Sequence, residues 1–113
     1  GTTKHQSDQA EAALVQAQDA HDQLKDAITL EVNQCYLTLI QSKEKVGVAE
    51  KGVEQADENY RITKNKFTSG TATNTDLLDA EVALLQAKVN YTVSLVDHEL
   101  AWAKLMRSVG REK

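Results

Sequence analysis

Phe67-Thr68-Ser69-Gly70-Thr71-Ala72-Thr73-Asn74-Thr75-Asp76-Leu77-Leu78-Asp79-Ala80 is the one strong break in helical periodicity along the chain. Arg61, Lys64 and Lys66 precede it, in the last turns of a helical pattern, where cations complement the negative end of the helix dipole. Gly70 fits the left-handed position just past a helix end, where a Cβ would clash. Thr73 fits the N-cap of a following helix, and Asp76, three residues on, fits the acid of a capping box. Asp79 and Glu81 add negative charge near the positive end of that helix. The segment therefore reads as a tight turn that sends one long helix back along another.

The flanking pattern sets the lengths. The first helix is predicted from about residue 5 to 68, the turn over 69–73 and the second helix from about 74 to 108. The fold class is all-α, a long antiparallel helical hairpin forming a single segment over 1–113. The first helix carries an apolar stripe through Leu14, Ala17, His21, Leu24, Ile28, Val32, Cys35, Leu39, Ser42, Val46, Ala49, Val53, Ala56, Tyr60 and Phe67. From Val32 onward its steps alternate between four and three, a heptad seam. Two consecutive steps of four between Leu24 and Val32 loosen the supercoil locally. Gly47 and Gly52 fall inside this helix, where each costs about 1 kcal/mol relative to alanine. The spacing leaves them two readings, close approach of a neighbouring helix or a hinge.

The second helix has two stripes. One runs through Leu77, Ala80, Leu84, Ala87, Tyr91, Ala101 and Leu105; the other through Leu78, Val82, Leu85, Val89, Val93, Val96, Leu100 and Ala103. A helix in a simple two-helix coil needs one narrow seam. Two stripes predict neighbours on both flanks, as in a four-helix bundle or a barrel of helices side by side. At 1.5 Å per residue the helices are about 95 and 55 Å long. The second covers the first only from about residue 31, so Leu14, Leu24 and Ile28 are buried either by a first helix that breaks and folds back or, the preferred reading, by another chain.

Composition narrows the function classes. Hydrophobic residues make up 41% of the 113, but aromatics only 4%, a mix that favours long helices over a globular core with large side chains. The net charge of −4 is dispersed, and no basic stripe is interleaved with aromatics, which excludes nucleic-acid binding. No apolar run reaches the ~18 residues of a spanning helix. The polar start Gly1-Thr2-Thr3-Lys4-His5-Gln6 has no signal-peptide pattern, as expected of a piece excised from a longer protein. His5, His21 and His98 are far apart and lack metal-ligand spacing, so no metal and no cofactor are expected. Cys35 lies on the seam and reads as a small buried hydrophobe. No nucleophile–base pair or phosphate loop accompanies Asp76 and Asp79, so these acids read as helix caps and not as catalysts.

The ordered set Phe67-x-x-Gly70-x-x-Thr73-x-x-Asp76-Leu77-Leu78-Asp79-Ala80 resembles the periplasmic hairpin tip of TolC-like outer-membrane efflux proteins. Ile28-Thr29-Leu30-Glu31-Val32, Tyr36 and the Val46/Val53/Tyr60 ladder upstream, and Ala87, Tyr91 and Leu105-x-x-x-Val109-Gly110 downstream, extend the resemblance over nearly the whole chain. It is similar to the second of that family's two repeats. The resemblance implies a trimer in the bacterial outer membrane, with four strands per protomer in a β-barrel and paired long helices in a periplasmic α-barrel. It also implies that a periplasmic adaptor protein docks at the tips and links them to an inner-membrane transporter, so that the whole is a passive conduit and not an enzyme. On this resemblance Gly70, Thr71, Thr73 and Asp76 form the docking tip, and Asp76 and Asp79 are the candidate pore entrance. Phe67 and Ala72 stand where a tyrosine and an arginine can occur, which removes a closing hydrogen bond through those two side chains. Without strands or a first repeat, this stretch is expected to be soluble, unable to form a pore alone, and self-associating. The competing readings are the coiled-coil hairpin of the adaptor itself, whose arginine-leucine-serine tip signature is missing here, and a generic coiled-coil scaffold. The resemblance also places Trp102 toward the equatorial region of the barrel.

Overall fold

The computed structural model describes residues 1–112, and among these the chain forms two helices, α1 (Thr2–Thr68) and α2 (Asn74–Glu112), joined by a five-residue turn. They lie antiparallel in a rod of 102 × 21 × 13 Å. The long dimension is close to the length of α1 alone, about 100 Å for 67 residues. The molecule is therefore one unbroken helix with a shorter one laid along it.

The buried seam follows heptad arithmetic on both helices. On α1 the buried and half-buried positions include Ile28, Val32, Cys35, Leu39, Ser42, Val46, Ala49, Val53, Ala56, Tyr60 and Thr63. On α2 they are Leu77, Ala80, Leu84, Ala87, Tyr91, Ser94, His98, Ala101, Leu105, Ser108 and Val109. Alternating steps of three and four keep one side of each helix against the other over nine turns or so. Side-chain bonds across the seam fix the level. Tyr60 donates to Glu81 near the tip (3.5 Å), Ser42 meets His98 midway (3.0 Å), and Cys35 Sγ lies 3.2 Å from Ser108 Oγ toward the base. Arg111 Nη1 reaches both oxygens of Glu31, at 2.9 and 3.1 Å, and closes the paired stretch.

Several details depart from the sequence expectation. Phe67 is off the seam, 38% exposed, and Thr63 occupies the last seam place on α1. The returning helix presents its first seam residue, Leu77, below the level of Phe67, so no seam residue of α2 faces that ring and it stays partly open. Gly47 and Gly52 are not sites of close approach within the hairpin: a Cβ at either would meet no atom within 4 Å. The helix is continuous through both. α2 runs on past Ser108 and through Gly110, because Ser108 is buried against Cys35 and Arg111 is anchored on Glu31. Residues 2–27 are exposed on every side, His21 and Leu24 included, as expected of a stretch that α2 does not reach, whereas Ile28 is half-buried at the border.

Candidate functional site

The tip is built by two capping motifs back to back. At the end of α1 the Thr71 N–H donates to the Lys66 carbonyl (2.8 Å) and the Gly70 N–H to the Phe67 carbonyl (3.1 Å). This pair of bonds, six-to-one and five-to-two, is the Schellman arrangement, which needs a left-handed residue between them. Gly70 supplies it with φ +81°, the one positive φ among the described residues. The hydroxyls of Ser69 and Thr71 also donate to the Lys66 carbonyl, at 3.2 and 3.1 Å. Carbonyls that a helix end would leave open are thus satisfied within the turn.

The start of α2 is closed reciprocally. The Asp76 N–H donates to Thr73 Oγ1 (3.1 Å), and the Thr73 N–H donates to Asp76 Oδ2 (3.0 Å). The Thr73 carbonyl accepts the first helical bond, from Leu77 N–H at 3.1 Å. This is a complete capping box, with aspartate in the place more often held by glutamate. The Thr73 backbone N–H, and after it the Thr73 hydroxyl, hold the Asp76 carboxyl below its ordinary range, since both contacts favour the anion. Asp79 lies one turn further on, also exposed. Asp76, Asp79, Thr71 and Ala72 line a shallow cleft beside the tip, with Thr63 and Lys66 of α1 as its other wall. The structure thus brings Gly70, Thr71, Thr73, Asp76 and Asp79 together at one end of the rod. Below it, Arg61 pairs with Glu58 through Nε (3.1 Å) and Nη2, a pairing that lowers the Glu58 carboxyl and raises the guanidinium. Lys64 Nζ sits 5.9 Å from the Tyr60 ring centre.

The second feature is the outer face of α2. Leu78, Val82, Leu85, Val89, Val93, Val96 and Leu100 form a ridge pointing away from α1, with Leu78 58%, Leu85 63% and Leu100 62% exposed. Ala103 and Trp102 are exposed as well. A ridge of this length leaves a large apolar surface without a partner in a single hairpin.

Besides Thr63 on α1, three seam residues of α2 were missed in the sequence reading: Ser94, His98 and Ser108. Polar side chains masked them in the first α2 stripe, although stepping by three and four from Tyr91 lands on each. Ser42 Oγ donates its one hydrogen to the Leu39 carbonyl (2.8 Å), so it accepts from His98, which must then carry its proton on Nδ1. Among the described residues no buried side-chain nitrogen or oxygen lacks a partner.

A bare helical rod with a capped tip and an open apolar flank is an architecture suited to packing helices against neighbours. The family model for outer membrane efflux proteins matches residues 1–111, and the chain belongs to that family. No curated protein and no solved structure matches it. It is a transport family, and among the described residues no helix is long and apolar enough to cross a membrane.

Proposed function

We propose that this hairpin is the periplasmic α-barrel segment of an outer-membrane efflux channel, the second of two repeats in each protomer of a trimer. The channel is a passive conduit of a tripartite pump. Its hairpin tips dock a periplasmic adaptor protein that connects to an inner-membrane transporter. The observation that carries this reading is the coincidence, in a member of this family, of a fully capped tip at one end of a long rod with an unpartnered ridge along α2. The ridge is the surface that neighbouring hairpins cover in a barrel. The tip is the surface left over for a partner.

Gly70, Thr71, Thr73 and Asp76 form the docking surface in this proposal. Its backbone N–H groups are already bonded internally, so a partner meets a preorganised shape. Asp76 and Asp79, repeated around the trimer, present a ring of carboxylates that favours cations at the entrance. Phe67 and Ala72 offer no polar link between hairpins, so closure depends on other contacts.

The test uses the full-length channel and its cognate adaptor. Proline at position 70 cannot adopt φ +81°, so Gly70→Pro is expected to weaken adaptor binding at least tenfold in a trimer that still assembles. Unchanged affinity would sink the docking assignment. In the same protein, replacing Asp76 and Asp79 by asparagine is expected to reduce cation preference in single-channel currents. Unaltered currents would leave both residues as caps alone.

A further inference from the structure

We infer that the hairpin carries a hinge midway along its length, at Gly47–Gly52 of α1 and the facing stretch of α2. Three observations place it there. The first is the glycine pair itself. Helical glycine is explained when a neighbour's backbone needs the room, but a Cβ at Gly47 or Gly52 would meet nothing within 4 Å. No contact inside the hairpin accounts for them, and within a single hairpin what they contribute is an effect on helix stiffness: each weakens the local helix relative to alanine.

The second is what lies level with them. The residue numbers of the seam pairs Glu31–Arg111, Cys35–Ser108, Ser42–His98 and Tyr60–Glu81 each add to about 141. Residues 47–52 therefore face about residues 89–94 of α2 along an antiparallel pair at equal rise. In that short stretch two side chains bond back onto their own helix. Thr92 Oγ1 donates to the Lys88 carbonyl (3.1 Å), and Ser94 Oγ donates to the Tyr91 carbonyl (2.6 Å). Back-bonding of this kind competes with the helical ladder and bends helices. At this level α1 carries the glycine pair and α2 two back-bonded side chains, whereas elsewhere on α1 Thr29 and Ser42 back-bond without a neighbouring glycine.

The third is packing. Here an open valley between the helices is floored by small groups, Ala49, Gly52, Ala87 and Ser94, beside Val48 and Val93. The seam also changes character at this level. Toward the tip it is mainly apolar, with Val53, Ala56, Leu77, Ala80 and Leu84; toward the base it includes Cys35, Ser42, His98 and Ser108. A hinge there separates a tip segment clamped by its two capping motifs from a base segment held by polar layers and the Glu31–Arg111 pair. Because the tip lies about 30 Å beyond residue 50, a bend of about 10° displaces it by about 5 Å. The hinge is a property of this hairpin and stands whether or not the tip docks an adaptor.

Backbone amide hydrogen exchange and pulsed electron–electron distance measurement on the whole chain test it together. In the unsubstituted chain, protection factors over residues 47–56 and 89–94 are expected to be at least tenfold lower than over 36–42 and 58–63. The Gly47→Ala, Gly52→Ala double variant is expected to restore protection at 47–56 at least tenfold and leave 58–63 within twofold. Spin labels at the exposed positions Asn33→Cys and Gln55→Cys, in a Cys35→Ser background, flank the glycines. Their distance distribution is expected to be broad and to narrow when both alanines are added. Uniform protection along α1 from 33 to 63, or a distribution that the alanines leave unchanged, overturns the hinge.

Discussion

At the residue scale, the tip shows how few side chains suffice to reverse a long helix. Gly70 is there for its φ, Thr73 for its hydroxyl, and Asp76 for a carboxylate that reaches back to the Thr73 N–H. Thr73→Ala is expected to cost about 1 kcal/mol in denaturant unfolding, the usual worth of an N-cap. The acid has its own signature. Its folded pKa lies below the unfolded value of about 3.8, so its contribution is complete above that pH and is lost as the pH falls through the lowered folded value. Unfolding curves at stepped pH check this: Asp76→Asn is expected to flatten the loss of stability below about pH 4, and an unchanged slope would assign that loss to other carboxylates. All three tip residues were legible from sequence because capping is local chemistry, set by residues within six positions of one another.

Among elements, the informative contrast is between the two faces of α2. The seam face was readable as far as Tyr91 and again from Ala101, but its polar interior was not. A histidine and two serines in a buried stripe look like interruptions until the facing helix supplies Ser42 and Cys35. The Ser42–His98 layer yields a test by double-mutant cycle. Ser42→Ala strands the His98 donor and is expected to destabilise by about 1 kcal/mol, whereas Ser42→Ala with His98→Leu is expected to recover most of that loss. Additive losses in chemical unfolding would mean that the two side chains do not act as a pair. The outer stripe of α2 was equally plain in sequence. Phe67 was misplaced because periodicity alone does not reveal how far up α1 the returning helix begins.

For the whole molecule, the hairpin is a rod whose exposed ridge and unpaired residues 2–27 outweigh what a single copy covers. The chain is expected to self-associate through that ridge. Light-scattering mass with small-angle scattering is expected to report two or more copies in a particle at least about 100 Å long, the length of α1. Leu85→Lys with Leu100→Lys is expected to return it to one copy without loss of helix. A compact monomer in the parent chain would mean that α1 folds back on itself in solution.

The sequence by itself determined the hairpin, its reversal point, the caps and the existence of two apolar stripes on the second helix. Each of these follows from interactions among residues close along the chain or from a period that one helix repeats by itself. Tertiary structure decided the rest: which stripe is the seam, which serines and histidine pair across it, where Glu31 and Arg111 end the paired stretch, and that Gly47 and Gly52 face open space. Those are relations between positions as many as eighty residues apart, and antiparallel register, not periodicity, brings them level.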